Sequence, residues 1–167
     1  MRNPGTNKQC NSDKRRKAIR LAGFDYSDPN QVFFITLCTN YRQPTFQDAK
    51  LASRINESIL HRAARHYCLI YAYCLMPDHL HLALSPVSSG RGVPQLLQEF
   101  KSYTTRISWQ QGHKGPLWQQ NYYDHIARRE EDVLTICQYI LCNPVRKGLV
   151  DDPADWPYAG MPNHFEG

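Results

Sequence analysis

The segment CLIYAYCLMPDHLHLALS, residues 68–85, carries the strongest structural signal in the sequence. Residues 68–76 form a mostly apolar run of strand length, and residues 79–85 form a second one. Pro77 and Asp78 separate the two runs, and proline is favoured in turns because its ring fixes φ. The segment is therefore predicted to be a β-hairpin.

Outward from the hairpin, the sequence predicts further strands and helices. Residues 31–38 are rich in β-branched and aromatic residues, as in a buried strand, and apolar positions recur with helical spacing over residues 48–66. After the hairpin, residues 93–108 predict a second amphipathic helix and residues 116–128 contain a fourth strand. Residues 129–143 predict a third helix with acidic residues in its first turn.

The resulting order, β-α-β-β-α-β plus one helix, is the ferredoxin-like split pattern. It predicts an α+β fold in which a four-stranded antiparallel sheet has helices on one face, with a C-terminal helix in addition. Residues 21–167 are predicted to form this single domain, because a chain of 167 residues can bury a core without disulfides or structural metals. Residues 1–20 are polar and basic, and we expect them to be a flexible arm.

Composition and charge narrow the class of protein. The hydrophobic fraction is 41% and the charged fraction is 21%, as in ordinary soluble globular proteins. No apolar run approaches the ~20 residues needed to cross a bilayer, and the basic N-terminus lacks the apolar segment of a secretory signal. We therefore expect a cytoplasmic protein whose six cysteines are reduced thiols. The net charge of +5 includes basic clusters that suit phosphate contacts.

The second strand of the hairpin begins with two histidines, His79 and His81. Residues two apart in a strand point to the same face, so the two imidazoles share one face and the leucines between and after them share the other. Two imidazoles at this spacing can bind one metal ion. A half-exposed strand with a polar face would have the same pattern, and the H-x-H motif alone does not decide between the two.

The last predicted helix carries a second candidate pair. On a helical wheel, Val133, Cys137, Ile140 and Leu141 form the core stripe, and Tyr139 lies roughly opposite it. Asn143 follows Tyr139 by four residues and shares its side of the helix, and Pro144 favours a helix end there. A phenol and a carboxamide are thus adjacent at a helix terminus. A surface tyrosine followed by an asparagine cap would look the same.

Three separated blocks of the sequence resemble the REP-associated tyrosine transposases, relatives of the single-tyrosine insertion-sequence transposases. The blocks are YCLMPDHLHLAL (73–84), GPLWQQNYYDHIARREEDVLTICQYILCNPVRKGLV (115–150) and DWPYAG (155–160). These transposases belong to the HUH endonucleases, which are named for a His-hydrophobe-His motif. The resemblance extends from about residue 23 to residue 159.

The resemblance implies a metal-dependent enzyme that cuts and rejoins single-stranded DNA at palindromic hairpins through a 5′-phosphotyrosyl intermediate. His79 and His81 would be metal ligands, and Tyr139 would be the nucleophile. Asn143 occupies the position where related enzymes use a glutamine as third metal ligand. The resemblance implies Mg²⁺ or Mn²⁺, whereas ligand softness favours Mn²⁺ or Zn²⁺. A monomer is favoured, although insertion-sequence relatives act as dimers.

Other residues have secondary predicted roles. His125 and Asp124 are candidates for the base that deprotonates Tyr139, and each could equally be structural. Basic side chains on the second and third helices and beyond could contact DNA phosphates. They are Lys101, Arg106, Arg128, Arg129, Arg146 and Lys147.

Two other classes of function stay open. One is a ferredoxin-like nucleic-acid-binding module without catalysis, in which the histidines and Tyr139 are dispensable for binding. The other is a zinc-dependent hydrolase or deaminase that uses His79 and His81. That chemistry usually brings a C-x-x-C block, which the sequence lacks.

Overall fold

The computed structural model describes residues 25–66, 68–87, 92–127 and 130–162. Its strands are β1 (Val32–Cys38), β2 (Cys68–Met76), β3 (His79–Pro86), β4 (Tyr123–Ala127) and β5 (Ala159–Gly160). Its helices are α1 (Ala49–Arg65), α2 (Val93–Gln110), α3 (Glu130–Leu141) and α4 (Asn143–Arg146). The strands form one antiparallel sheet in the order β4-β1-β3-β2-β5. The predicted α+β class is confirmed.

The sheet has five strands, so the prediction of four is wrong. The additional strand, β5, comes from the tail of the chain after α4, residues 147–167, which contains three prolines and one tryptophan. It pairs with Tyr73 and Cys74 of β2. The tail is further fixed by a hydrogen bond from Trp156 Nε1 to the carbonyl oxygen of Leu75, at 3.0 Å. A two-residue strand is too short to show an alternating pattern, so the sequence does not reveal it.

One face of the sheet carries the larger core, under α1 and α2. Alternate residues of β3, namely Leu80, Leu82 and Leu84, are fully buried on this face, as strand alternation predicts. Each such leucine contributes about 1.5–3 kcal/mol to folding through the apolar surface it removes from water. Asp48 caps α1, because its carboxylate accepts hydrogen bonds from the backbone N–H groups of Lys50 and Leu51 at 3.0 and 3.2 Å.

The opposite face is partly covered by α3. Val133, Cys137 and Ile140 are buried there among small or flexible side chains of the central strands, as the helical wheel predicts, whereas Leu141 is only partly buried. The strand residues are Ala72, Cys74, Met76 and Ala83. The two alanines let the helix lie close to the sheet. The helix that carries Tyr139 therefore lies on the same face as His79 and His81.

The third predicted helix is two helices in the structure. α3 ends at Leu141, two residues before the predicted end at Asn143, and α4 begins at Asn143. Pro144 occupies the first turn of α4, where its missing N–H group costs nothing. The chain therefore turns at Cys142 and continues for one helical turn, which buries Asn143 instead of leaving it as an exposed cap.

The predicted N-terminal arm, residues 1–20, and two of the predicted DNA-binding residues, Arg128 and Arg129, lie outside the described residues. None of the helices that the structure describes is long and apolar enough to cross a membrane.

Candidate active site

The hairpin turn brings His79 and His81 to the middle of the sheet. In the pairing of β1 with β3, His79 lies opposite Cys38 and His81 lies opposite Thr36. Each histidine is only 7% exposed. The two Nε2 atoms are 3.0 Å apart, so both imidazoles point to the same place. This is the shared face that strand alternation predicts, although it is buried and not half-exposed.

The other nitrogen of each imidazole has its own partner. Nδ1 of His79 lies 2.6 Å from a carboxylate oxygen of Asp78, and Nδ1 of His81 lies 2.9 Å from the hydroxyl oxygen of Thr36. Such contacts fix the orientation of a ligating imidazole and leave Nε2 for the metal. Both imidazoles are thus fixed in orientation, with their Nε2 atoms facing each other.

Electrostatics keeps the pair neutral. Burial, with smaller contributions from the neighbouring His79 and Arg42, lowers the pKa of His81 to about 3 against the opposite effect of Asp78. Burial also lowers the pKa of His79, against the opposite effect of Asp78. Burial alone would raise the pKa of Asp78, but hydrogen bonds and charges from His79 and Arg42 outweigh it, and the pKa is lowered. A neutral imidazole beside an ionised carboxylate is the form that binds a divalent cation.

The donor set fits such a cation. Two nitrogens that each bind one ion at about 2.1 Å, at right angles, lie roughly 3 Å apart. The described residues contain no group of three or more histidine, cysteine, aspartate or glutamate side chains that could hold a metal. A metal ion held by the two histidines would therefore need a third ligand of another type from this part of the chain. Asn143, predicted as that ligand, is buried, and its Nδ2 lies 3.4 Å from the carbonyl oxygen of Tyr139, to which it donates.

Tyr139 lies beside the histidine pair. Its ring centroid is 6.1 Å from that of His81 and 6.2 Å from that of Phe34, and its side chain is 40% exposed. The guanidinium of Arg146 lies over the ring, 4.6 Å from its centroid. The structure therefore brings together the phenol and the imidazole pair, which are far apart in the sequence.

The two base candidates lie on different faces of the sheet. His125 is exposed, pairs with Phe34 across β1 and β4, and lines a groove with Tyr139. Asp124 pairs with the core residue Ile35, on the face of α1 and α2, and accepts a hydrogen bond from Tyr26. The structure does not bring Asp124 together with Tyr139.

The predicted DNA-binding residues differ in their surroundings. Arg106, Arg146 and Lys147 are exposed. Lys101 instead donates hydrogen bonds to the backbone carbonyls of Gln119 and Gln120, at 2.5 and 2.8 Å, and burial lowers its pKa. Its ammonium group therefore ties α2 to the segment before β4.

Three residues of the site were missed by sequence reasoning. Thr36 contacts His81 across the sheet, Asp78 contacts His79, and Arg42 lies 3.4 Å from Asp78. Asp78 stands directly before His79, so a carboxylate next to the H-x-H motif was an available signal. Thr36 and Arg42 come near the site only through the register of β1 with β3 and the turn after β1.

Comparison with known proteins gives the family. Residues 30–143 match the family model described as "Transposase IS200 like", which is more than half of the chain. The chain belongs to this family. The IS200-like transposases are enzymes that act on DNA, and the transposase class inferred from the sequence is confirmed.

Individual relatives of this IS200-like transposase support the same family. A protein of Haemophilus influenzae, provisionally assigned as a REP-associated tyrosine transposase, is 26% identical over 78% of this chain and 79% of its own length. A REP-associated tyrosine transposase of Escherichia coli is 29% identical over 54% of this chain and 52% of its own. The solved structure of a REP-associated tyrosine transposase bound to a REP hairpin superposes with a TM-score of 0.66. It is 22% identical and covers 81% of this chain and 79% of that one, which shows a shared fold.

Proposed function

We propose that this transposase nicks and rejoins single-stranded DNA beside a hairpin, with Tyr139 as nucleophile. The observation that carries the proposal is the 6.1 Å between the ring centroids of Tyr139 and His81. A reactive phenol and a pair of neutral imidazoles, brought to one face of a sheet from distant parts of the chain, have the composition of a phosphoryl-transfer centre.

In the proposed reaction, Oη of Tyr139 attacks the scissile phosphorus and loses its proton. The bond from phosphorus to the 3′ oxygen breaks, and that oxygen leaves with a proton as a 3′-hydroxyl. The product is a 5′-phosphotyrosyl ester. Its energy is close to that of the phosphodiester it replaces, so attack by another 3′-hydroxyl reverses the step and joins the strands.

The chain's own residues have three tasks. His79 and His81, with Asn143 as the proposed third ligand, would hold Mg²⁺ or Mn²⁺, which supplies polarisation of a non-bridging phosphate oxygen when bound. Asp78 and Thr36 orient the two imidazoles. His125 is the proposed proton acceptor for Tyr139, since it lines the same groove.

The proposed DNA partner is a palindromic hairpin with a single-stranded flank. The family supports DNA as the substrate, and a protein of similar fold has been solved with a REP hairpin. Arg106, Arg146 and Lys147 are exposed and available for phosphates. We further propose that the transposase works as a cytoplasmic monomer, and that its first four strands with α1 and α2 form a ferredoxin-like unit.

The test is to incubate labelled hairpin DNA carrying a single-stranded flank with the protein and Mg²⁺ or Mn²⁺, and then to denature the mixture. We expect a covalent protein–DNA band that is absent for Tyr139→Phe. Tyr158→Phe, a matched substitution in the tail, should keep the band. If Tyr139→Phe keeps it, Tyr139 is not the nucleophile. Binding with no covalent band for any hairpin would instead favour the non-catalytic module.

A further inference from the structure

The turn after β1 is strained without any glycine. Tyr41 and Arg42 are consecutive and have φ values of 54° and 55°. A side chain in this left-handed region costs about 1–2 kcal/mol per residue, which is why glycine usually occupies it. The turn is nevertheless firmly held: buried Thr39 donates through its hydroxyl to the carbonyl oxygens of Gln43 and Asp78, at 2.7 and 2.9 Å.

The strained turn carries an exposed aromatic side chain. Tyr41 is 85% exposed, the most exposed large apolar residue among those described. Its ring therefore contributes almost nothing to the core. A glycine at this position would remove the strain at no cost in packing, so the stability of the protein does not explain a tyrosine here.

A neighbouring loop meets the same backbone requirement with glycine. Gly112 and Gly115 have φ values of 90° and 76°, and between them lie His113 and Lys114. This loop and the strained turn line a cavity of about 250 Å³ together with Gln43. No carboxylate is among the residues that line it. The cavity has mainly polar walls, a cationic side chain and a volume large enough for one small group.

The turn is also connected to the metal-ligand pair. Nη1 of Arg42 lies 3.4 Å from one carboxylate oxygen of Asp78, whose other oxygen lies 2.6 Å from Nδ1 of His79. Arg42, the neighbour of Tyr41 in the chain, is therefore linked through Asp78 to the histidine pair. An exposed aromatic ring beside cationic groups is the means by which proteins hold unpaired bases.

We propose that the ring of Tyr41 is a stacking platform for one unpaired nucleobase of the DNA strand, which enters the cavity between the two loops. Arg42 and Lys114 would face the adjoining phosphates. The site extends the proposed function, on which it rests for the identity of its ligand. It would hold the single-stranded flank and not the paired stem, because a paired base has no free face at this position.

The test measures binding without chemistry. Full-length protein carrying Tyr139→Phe is titrated, in the presence of a chelator, into a fluorescent single strand of about 12 nucleotides and into the same strand annealed to its complement. We expect Tyr41→Ala and Tyr41→Gly to weaken single-strand binding roughly ten-fold and to leave duplex binding unchanged. Tyr41→Phe retains the ring and should bind normally, as should Leu60→Ala on the exposed side of α1.

Thermal unfolding separates this role from a structural one. Tyr41→Gly relieves strain, so its melting temperature should equal that of the parent protein or exceed it by up to about 4 °C. A lower melting temperature for Tyr41→Gly, unchanged single-strand binding, or equal loss of single-strand and duplex binding would overturn the proposal. Because no cleavage is measured, these results are independent of whether Tyr139 forms a covalent adduct.

Discussion

The two histidines of the site are oriented by different groups, a carboxylate for His79 and a hydroxyl for His81. The hydroxyl of Thr36 comes from the neighbouring strand, and it can be removed with little change in shape. We predict that Thr36→Val weakens Mn²⁺ binding about 10–100-fold, because the His81 ring loses the partner that fixes it. Calorimetric titration with Mn²⁺ measures this. Thr105→Val is the control, because the hydroxyl of Thr105 donates to the carbonyl oxygen of Lys101 in its own helix. Equal affinities for Thr36→Val and the parent would contradict the prediction.

A substitution at His79 should affect DNA cleavage and DNA binding differently. We predict that His79→Ala abolishes cleavage of a hairpin substrate but largely preserves hairpin binding, since the imidazole is buried and offers little surface to the DNA. The covalent-adduct assay and a gel-shift titration of the same variant measure the two effects. If binding is lost together with cleavage, His79 serves the structure of the protein and not its metal site.

At the scale of elements, α1 and α2 are joined by a cluster of charges. Glu99 of α2 accepts hydrogen bonds from Arg62 and His66, which belong to α1 and its C-terminus. The hydrogen bond from His66, together with the hydrogen bond from Arg62, holds the pKa of Glu99 below its usual value despite the opposing effect of burial. A carboxylate with a lowered folded-state pKa stabilises the protein above its unfolded pKa, and this contribution is lost as the pH falls through the folded value.

We therefore predict that Glu99→Gln destabilises the protein at pH 7, and that its difference from the parent shrinks as the pH falls below about 4.5. The effect at neutral pH should stay within about 1 kcal/mol, because the carboxylate is one-third exposed and water screens the interaction. Urea unfolding at a series of pH values measures it, with Glu57→Gln on the outer side of α1 as control. A difference that does not change with pH would show that shape, and not charge, is responsible.

Elements also show how far sequence reasoning extends. The hairpin, α1 and α2 were predictable because strand alternation and helical spacing are local patterns. The core stripe of α3 was predictable for the same reason. The break between α3 and α4 at Cys142 was not, because the local sequence allows either a helix end with Asn143 as an exposed cap or a further helical turn that buries Asn143. β5 and the contact of Thr36 with His81 depend on pairing between distant segments. No local pattern encodes that pairing.

At the scale of the whole molecule, the sheet separates two tasks. The face under α1 and α2 contains most of the large apolar side chains and supplies most of the stability. The other face has a smaller apolar cluster under α3, and the imidazole pair and the phenol lie beside it. Polar groups that would be costly in the main core are thus kept away from it.

The packing of α3 against β2 and β3 bears on whether two copies of the transposase can share one active site. Within one chain, α3 places the phenol beside the imidazole pair. For the monomer proposed above, a mixture of His79→Ala and Tyr139→Phe proteins should therefore show no complementation, because neither variant contains a complete centre. Adduct formation by the mixture, measured beside each variant alone, would instead show that α3 is exchanged between copies.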